Sequence, residues 1–205
     1  MTAFAFARPV PTAPRYATPL QLLAGPVLLA ALIALRGLLE ASMLQHMLVQ
    51  LPLLVIGGVL CRPWFGRWRL IACDVQGLAG LTAMVFVTSY WMIPRALEQS
   101  LVAPLAEVLK FASLLLLGLV LPGSLRRAHV VVQLFFVANV CAMMAIAGML
   151  YQDMPQRLCN AYLLDDQGAT GGALVGLALA LAVAWCGAHW RQVVEAAEPD
   201  GLAGR

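Results

Sequence analysis

Long apolar runs interrupted by a few polar islands set the pattern of this chain. Runs near 20 residues cover Pro19 to Leu39, Ser42 to Cys61, Leu70 to Pro94, Leu101 to Leu121, His129 to Tyr151 and Thr170 to Trp190. Each is long enough to cross a hydrocarbon core of about 30 Å as an α-helix. The pattern predicts an all-α, polytopic membrane helix bundle of about six transmembrane helices. Arg36, Gly37 and Glu40 are the only break between the first two runs, so a tight turn must join them. Five spans, one of them a long broken helix, is the alternative.

Composition agrees with this reading, because 62% hydrophobic and 11% charged residues leave too little charge to cover a soluble domain of 205 residues. Residues 1–18 are expected to form a tail, 19–191 the membrane domain and 192–205 a second tail. Met1 to Ala17 lacks a continuous apolar stretch, so the first span is expected to insert as an uncleaved anchor. Arg8, Arg15, Arg62, Arg67, Arg69, Arg126, Arg127, Arg191 and Arg205 fall on one side of six spans, and Arg36, Arg95 and Arg157 on the other. The positive-inside rule then places both tails in the cytoplasm, N-in and C-in, with the loops between runs one and two, three and four, and five and six facing outward. The formal charge of +3 follows from this topology, and no basic soluble patch suggests nucleic acid as a partner. Five cysteines at 61, 73, 141, 159 and 186 show no ligand spacing, and Cys159 alone would face the oxidising side, so no disulfide framework is expected.

Candidate chemistry is confined to polar residues near one end of the spans. Met43, His46 and Met47 stand at i, i+3 and i+4, which puts two thioethers and an imidazole on one α-helical face. Soft sulfur with imidazole suits Cu(I), while methionine as a gap-filler and histidine as a bond to a neighbouring helix explain the same spacing by packing. Glu107 and Lys110, the only lysine, form an i, i+3 pair that could neutralise itself, lock helix packing or line a polar cavity. Asp165, Asp166 and Gln167 precede the last run, where carboxylates favour a helix N-terminus. His46, Glu107 and Asp166 are thus expected at one level of three different helices. Met92, Met149, Met154 and Cys159 fall on that level too. Trp64 and Trp68 with Arg62, Arg67 and Arg69, and His189, Trp190 and Arg191, read as interfacial anchors. Phosphate-binding loops, HExxH, a nucleophile elbow and dinucleotide fingerprints are absent, which argues against an enzyme.

The run Ser42-Met43-Leu44-Gln45-His46-Met47-Leu48, with Leu51-Pro52-Leu53-Leu54-Val55-Ile56-Gly57 after it, resembles the CtaG family of cytochrome c oxidase assembly factors. Trp91-Met92-Ile93-Pro94 is similar to that family's Trp-His-x-Pro segment, and Asp166-Gln167-Gly168 with Gly171-Gly172 to its Asp-Gln-x-x-Gly-Gly/Ala stretch. The family's first histidine falls on Ser42 and its later ones on Met92, Pro104 and Val108, so of the candidate copper ligands only His46 is kept. The chain is also short for the family. The resemblance implies a membrane assembly factor for a respiratory haem-copper oxidase. On that reading Cu(I) is presented by His46, Met43, Met47 and Met92, with Asp166 and Gln167 orienting the imidazole or attracting cation. A metal-free accessory subunit that scaffolds a membrane complex is the alternative. A permease using Glu107, Lys110 and His46 is a third reading, opposed by the lack of charged residues below Lys110.

Overall fold

The computed structural model describes residues 19–65, 74 and 76–197. Eight α-helices and one π-helix account for nearly all of them, and no strand occurs among the described residues. They are α1 (Pro19–Ala34), α2 (Arg36–Leu39), the π-helix Gln45–Gln50, α3 (Leu51–Phe65), α4 (Leu78–Trp91), α5 (Pro94–Val102), α6 (Pro104–Arg127), α7 (Val130–Asp153) and α8 (Leu164–Ala197). Among the described residues, four helical stretches are long and apolar enough to cross a membrane: Gln45–Trp64, Pro104–Arg127, Val130–Asp153 and Leu164–Gln192. Leu22–Ala34 and Leu78–Trp91 are apolar but shorter. The result is an all-α membrane helix bundle. Phe86, Phe135, Leu105 and Val183 are exposed on its outside, where acyl chains rather than water would meet them.

Neighbouring contacts fix the direction of each helix. Leu22 lies beside Trp64 and Gly25 beside Cys61, so α1 and α3 are antiparallel and the first two apolar runs are separate helices. Lys110 near the start of α6 meets His46 and Gln50 just ahead of α3, Gly118 lies against Gly58, and Gly123 lies near Arg62 toward the end of α3, which makes α3 and α6 parallel. A Cβ on either glycine would overlap a backbone carbonyl of the other helix, so the two backbones are in direct contact. The α7–α8 crossing works the same way: a Cβ on Gly148 would sit 2.6 Å from the Gly171 carbonyl oxygen. Gly172 and Gly176, further along the same helix, face open space.

Three boundaries differ from expectation. The stretch between the third and fourth runs contains α5, a short helix that buries Ala96, Leu97 and Ser100 and exposes Arg95 and Gln99. Pro94 and Pro104 occupy the first positions of α5 and α6, and each is preceded by an extended residue, so the chain breaks at both prolines. The last helix starts at Leu164 rather than Thr170, which places Asp165, Asp166 and Gln167 within its first turn, and it continues to Ala197. The start expected at Leu70, the residues Arg67, Trp68 and Arg69, and the tails 1–18 and 198–205 lie outside the described residues.

At the end of the bundle where α4 begins, Asp74 ties the chain to α6. Its Oδ1 accepts from the Ala79 amide at 3.0 Å, and its Oδ2 accepts from Arg127 at 3.0 Å and from the Ser124 hydroxyl. Burial pushes this carboxyl up, but the Ser124 and Arg127 bonds and the Ala79 amide outweigh it, and the net shift is downward. A lowered folded-state value means Asp74 stabilises the fold above the ordinary carboxylate range and loses that contribution as pH falls through the lowered value. Thermal unfolding in detergent between pH 7 and pH 3 is expected to show less acid destabilisation in Asp74→Asn than in wild type. Equal acid slopes would remove Asp74 from this account.

Candidate functional site

Two short stretches of charge meet at the opposite end. Arg36 and Glu40 stand one turn apart at α2 and Glu107 and Lys110 one turn apart on α6, so the two pairs can cross-match. Arg36 reaches Glu107 at 2.6 Å and Glu40 at 3.5 Å, and Lys110 Nζ reaches Glu40 Oε1 at 2.8 Å. Glu107 and Lys110 therefore pair across helices and not with each other, correcting the self-neutralised pair expected from their spacing. Exposure falls along the ladder, with side chains 48% exposed at Arg36, 19% at Glu107, 9% at Glu40 and 0% at Lys110.

The buried ammonium is fully used. Besides Glu40 it contacts His46 Nε2 at 2.9 Å and Gln50 Oε1 at 3.2 Å, which accounts for all three of its donors. An ammonium can only donate, so Nε2 is the acceptor and the imidazole proton is assigned to Nδ1. Nδ1 then donates to the Tyr162 hydroxyl at 2.9 Å, and Tyr162 donates to the Glu40 carbonyl at 3.2 Å. Burial, with the Cys159, Glu40 and Asp166 groups nearby, pushes the Tyr162 phenol well up, so its hydroxyl remains a donor at every physiological pH. Gln50 Nε2 returns to Glu40 Oε1 at 3.3 Å. The ring closes through Glu40, and every side-chain polar atom in it has a partner.

A change of helical pitch brings His46 and Gln50 to Lys110. Residues 45–50 form a π-helix whose last bond runs from the Leu51 amide to the His46 carbonyl. Pro52, directly after that bond, has no N–H, so the ladder is interrupted where the π-helical segment ends. The wider pitch replaces the α-helical i, i+3, i+4 register expected for Met43, His46 and Met47. Met43 and Met47 are buried in the apolar core, and His46 and Gln50 are buried against Lys110.

The remaining residues singled out by sequence have other partners. Asp166 accepts from the Met43 amide, so it caps the segment that begins at Met43, a different helix from its own. Gln167 is buried and ties the 154–163 loop, accepting from the Leu158 amide at 2.8 Å and donating to the Tyr151 carbonyl at 3.1 Å. Neither touches the imidazole, whose orientation comes from Lys110 and Tyr162. Met92 is half-buried at the end of α4, and its carbonyl accepts from Tyr151. Glu40, Gln50 and Tyr162 escaped the sequence reading. A glutamine buried in an apolar run is the one signal that could have found any of them.

For a copper ion the fit is poor while Lys110 stays in place. The Nε2 lone pair is spent on the ammonium and Nδ1 carries the proton, so the imidazole has no free electron pair for a metal. Among the described residues no group of three or more His, Cys, Asp or Glu side chains converges as metal ligands. Comparison with protein-family models, characterised proteins and solved structures gives no match for this chain.

Proposed function

We propose that this protein is a membrane-embedded assembly or accessory factor that acts by contact with its partner, its internal cation site filled by its own lysine. The observation that carries this reading is the position of Lys110 Nζ, 2.8 Å from Glu40, 2.9 Å from His46 Nε2 and 3.2 Å from Gln50. An ammonium in that position supplies the positive charge a metal would, and needs no metal to hold three segments together. The CtaG-like motifs point to a respiratory haem-copper oxidase of a bacterial cytoplasmic membrane as the partner. The positive-inside rule then directs the Lys110 end toward the periplasm. Lys110 is wholly buried and no charged residue lies between it and Arg126 on α6, which opposes a transport path.

A Cu(I) competition titration against a colorimetric chelator tests the reading. Wild type and His46→Ala are both expected to leave the chelator loaded, and Met43→Leu/Met47→Leu is expected to support oxidase assembly in cells as well as wild type does. The second reading, copper presentation by His46, Met43, Met47 and Met92, is favoured by the burial of Met43 and Met47 within a turn of His46. Stoichiometric Cu(I) uptake by wild type, lost in both variants, would replace the first reading by the second.

A further inference from the structure

The end of the bundle opposite Lys110 holds a cationic cluster that the proposed function does not use. Arg62 near the end of α3 and Arg126 and Arg127 at the end of α6 meet there. Guanidinium nitrogens of Arg127 and Arg62 lie 3.5 and 3.7 Å from the position a Cβ on Gly123 would take, so two cations share the space left by a residue without a side chain. Like charges this close repel unless an anion lies between them. Asp74 is the carboxylate at hand, and both its oxygens are occupied, by Ala79 on one side and by Ser124 and Arg127 on the other. Among the described residues neither Arg62 nor Arg126 has a carboxylate within ion-pair distance. Arg127 Nε is buried and has no acceptor, while its Nη2 donates to Asp74. Trp64, two residues from Arg62, is exposed and donates its indole N–H to the Leu22 carbonyl at 2.6 Å. A tryptophan placed so at the end of an apolar helix marks headgroup depth.

We infer that Arg62 and Arg127, with Arg126 at the rim, bind the phosphate of an anionic phospholipid headgroup. Two planar guanidinium forks match the several acceptors of a phosphate, and the bound anion removes the repulsion between them. Basic pockets between helix ends at a membrane surface are suited to this ligand. The diester stays in its leaflet, so occupancy would fasten α3 to α6 at the end remote from Lys110.

Delipidated protein in a neutral detergent should be melted with phosphatidylglycerol, with phosphatidylcholine and with inorganic phosphate, for wild type, Arg62→Gln and Arg126→Gln. Phosphatidylglycerol is expected to raise the melting temperature where phosphatidylcholine does not. Arg62→Gln is expected to weaken that response about ten-fold, the loss of one charge-assisted contact, and Arg126→Gln by less. Native mass spectrometry of Arg126→Gln keeps the test open if Arg62→Gln does not fold, with fewer retained phosphatidylglycerol molecules than in wild type expected. An equal shift from phosphatidylcholine, or full lipid retention and response in the variants, would overturn the site. A shift from inorganic phosphate alone would overturn the lipid as its source, whereas no phosphate effect beside a phosphatidylglycerol shift assigns the site to the headgroup.

Discussion

Lys110→Met is expected to cost about 3–5 kcal/mol of stability, the usual penalty when one partner of a buried ion pair is removed and the other is left uncompensated. Glu40 would then keep a 9% exposed carboxylate whose remaining cation, Arg36, is 3.5 Å away and also serves Glu107. His46 Nε2 and the Gln50 carbonyl would lose their donor at the same time. The double variant Lys110→Met/Glu40→Gln removes both charges and is expected to recover more than half of the loss, because a neutral amide at position 40 costs far less to bury. Chemical unfolding in detergent of the wild type, both single variants and the double variant gives the coupling directly. Additive losses would show that Lys110 and Glu40 do not act as a pair, and the proposal of an internal cation site would fall with them.

That cluster was half legible in the sequence. Helical class and membrane character followed from the apolar runs, because some twenty apolar residues with at most two charges admit few other structures. The common level of His46, Glu107 and Asp166 also followed, since alternating crossings place the beginnings of the second, fourth and sixth apolar runs at one end. Pairing did not follow. Spacing along α6 pointed to Glu107 with Lys110, but Arg36 and Glu40 on α2 present the same one-turn interval with opposite order, and the cross-matched arrangement satisfies all four charges. Nothing local marks Tyr162 as the imidazole's partner, since it comes from a loop 116 residues away in sequence. The π-helix was hidden for a different reason. Periodicity arguments assume a constant pitch, and only Pro52, read as a family feature rather than as a missing donor, hinted at the change. Asp74 went unnoticed because its partners, Ser124 and Arg127, lie at the end of a helix about 50 residues further on.

Gly118→Ala is expected to be damaging well beyond its size, and to act on the site from two turns away. The added methyl would run into the Val55 carbonyl oxygen, with the Gly58 Cα 2.9 Å away, so relief requires the α3 backbone to retreat. Overpacking of this kind costs about 1–3 kcal/mol and sometimes more, and here the obstacle is backbone, which cannot rotate aside. α3 and α6 are parallel and in contact at this point, so a retreat widens the gap that Lys110 Nζ bridges to His46 and Gln50. Amide hydrogen exchange of the Gln45–Gln50 segment should therefore quicken along with the fall in melting temperature. Gly172→Ala is the control. Its Cβ would have nothing within 4 Å, and replacing a mid-helix glycine by alanine should stabilise α8 by about 0.5–1 kcal/mol. If Gly118→Ala matched Gly172→Ala in both readouts, α3 and α6 would not be in backbone contact, and the geometry that delivers His46 and Gln50 to Lys110 would need another cause.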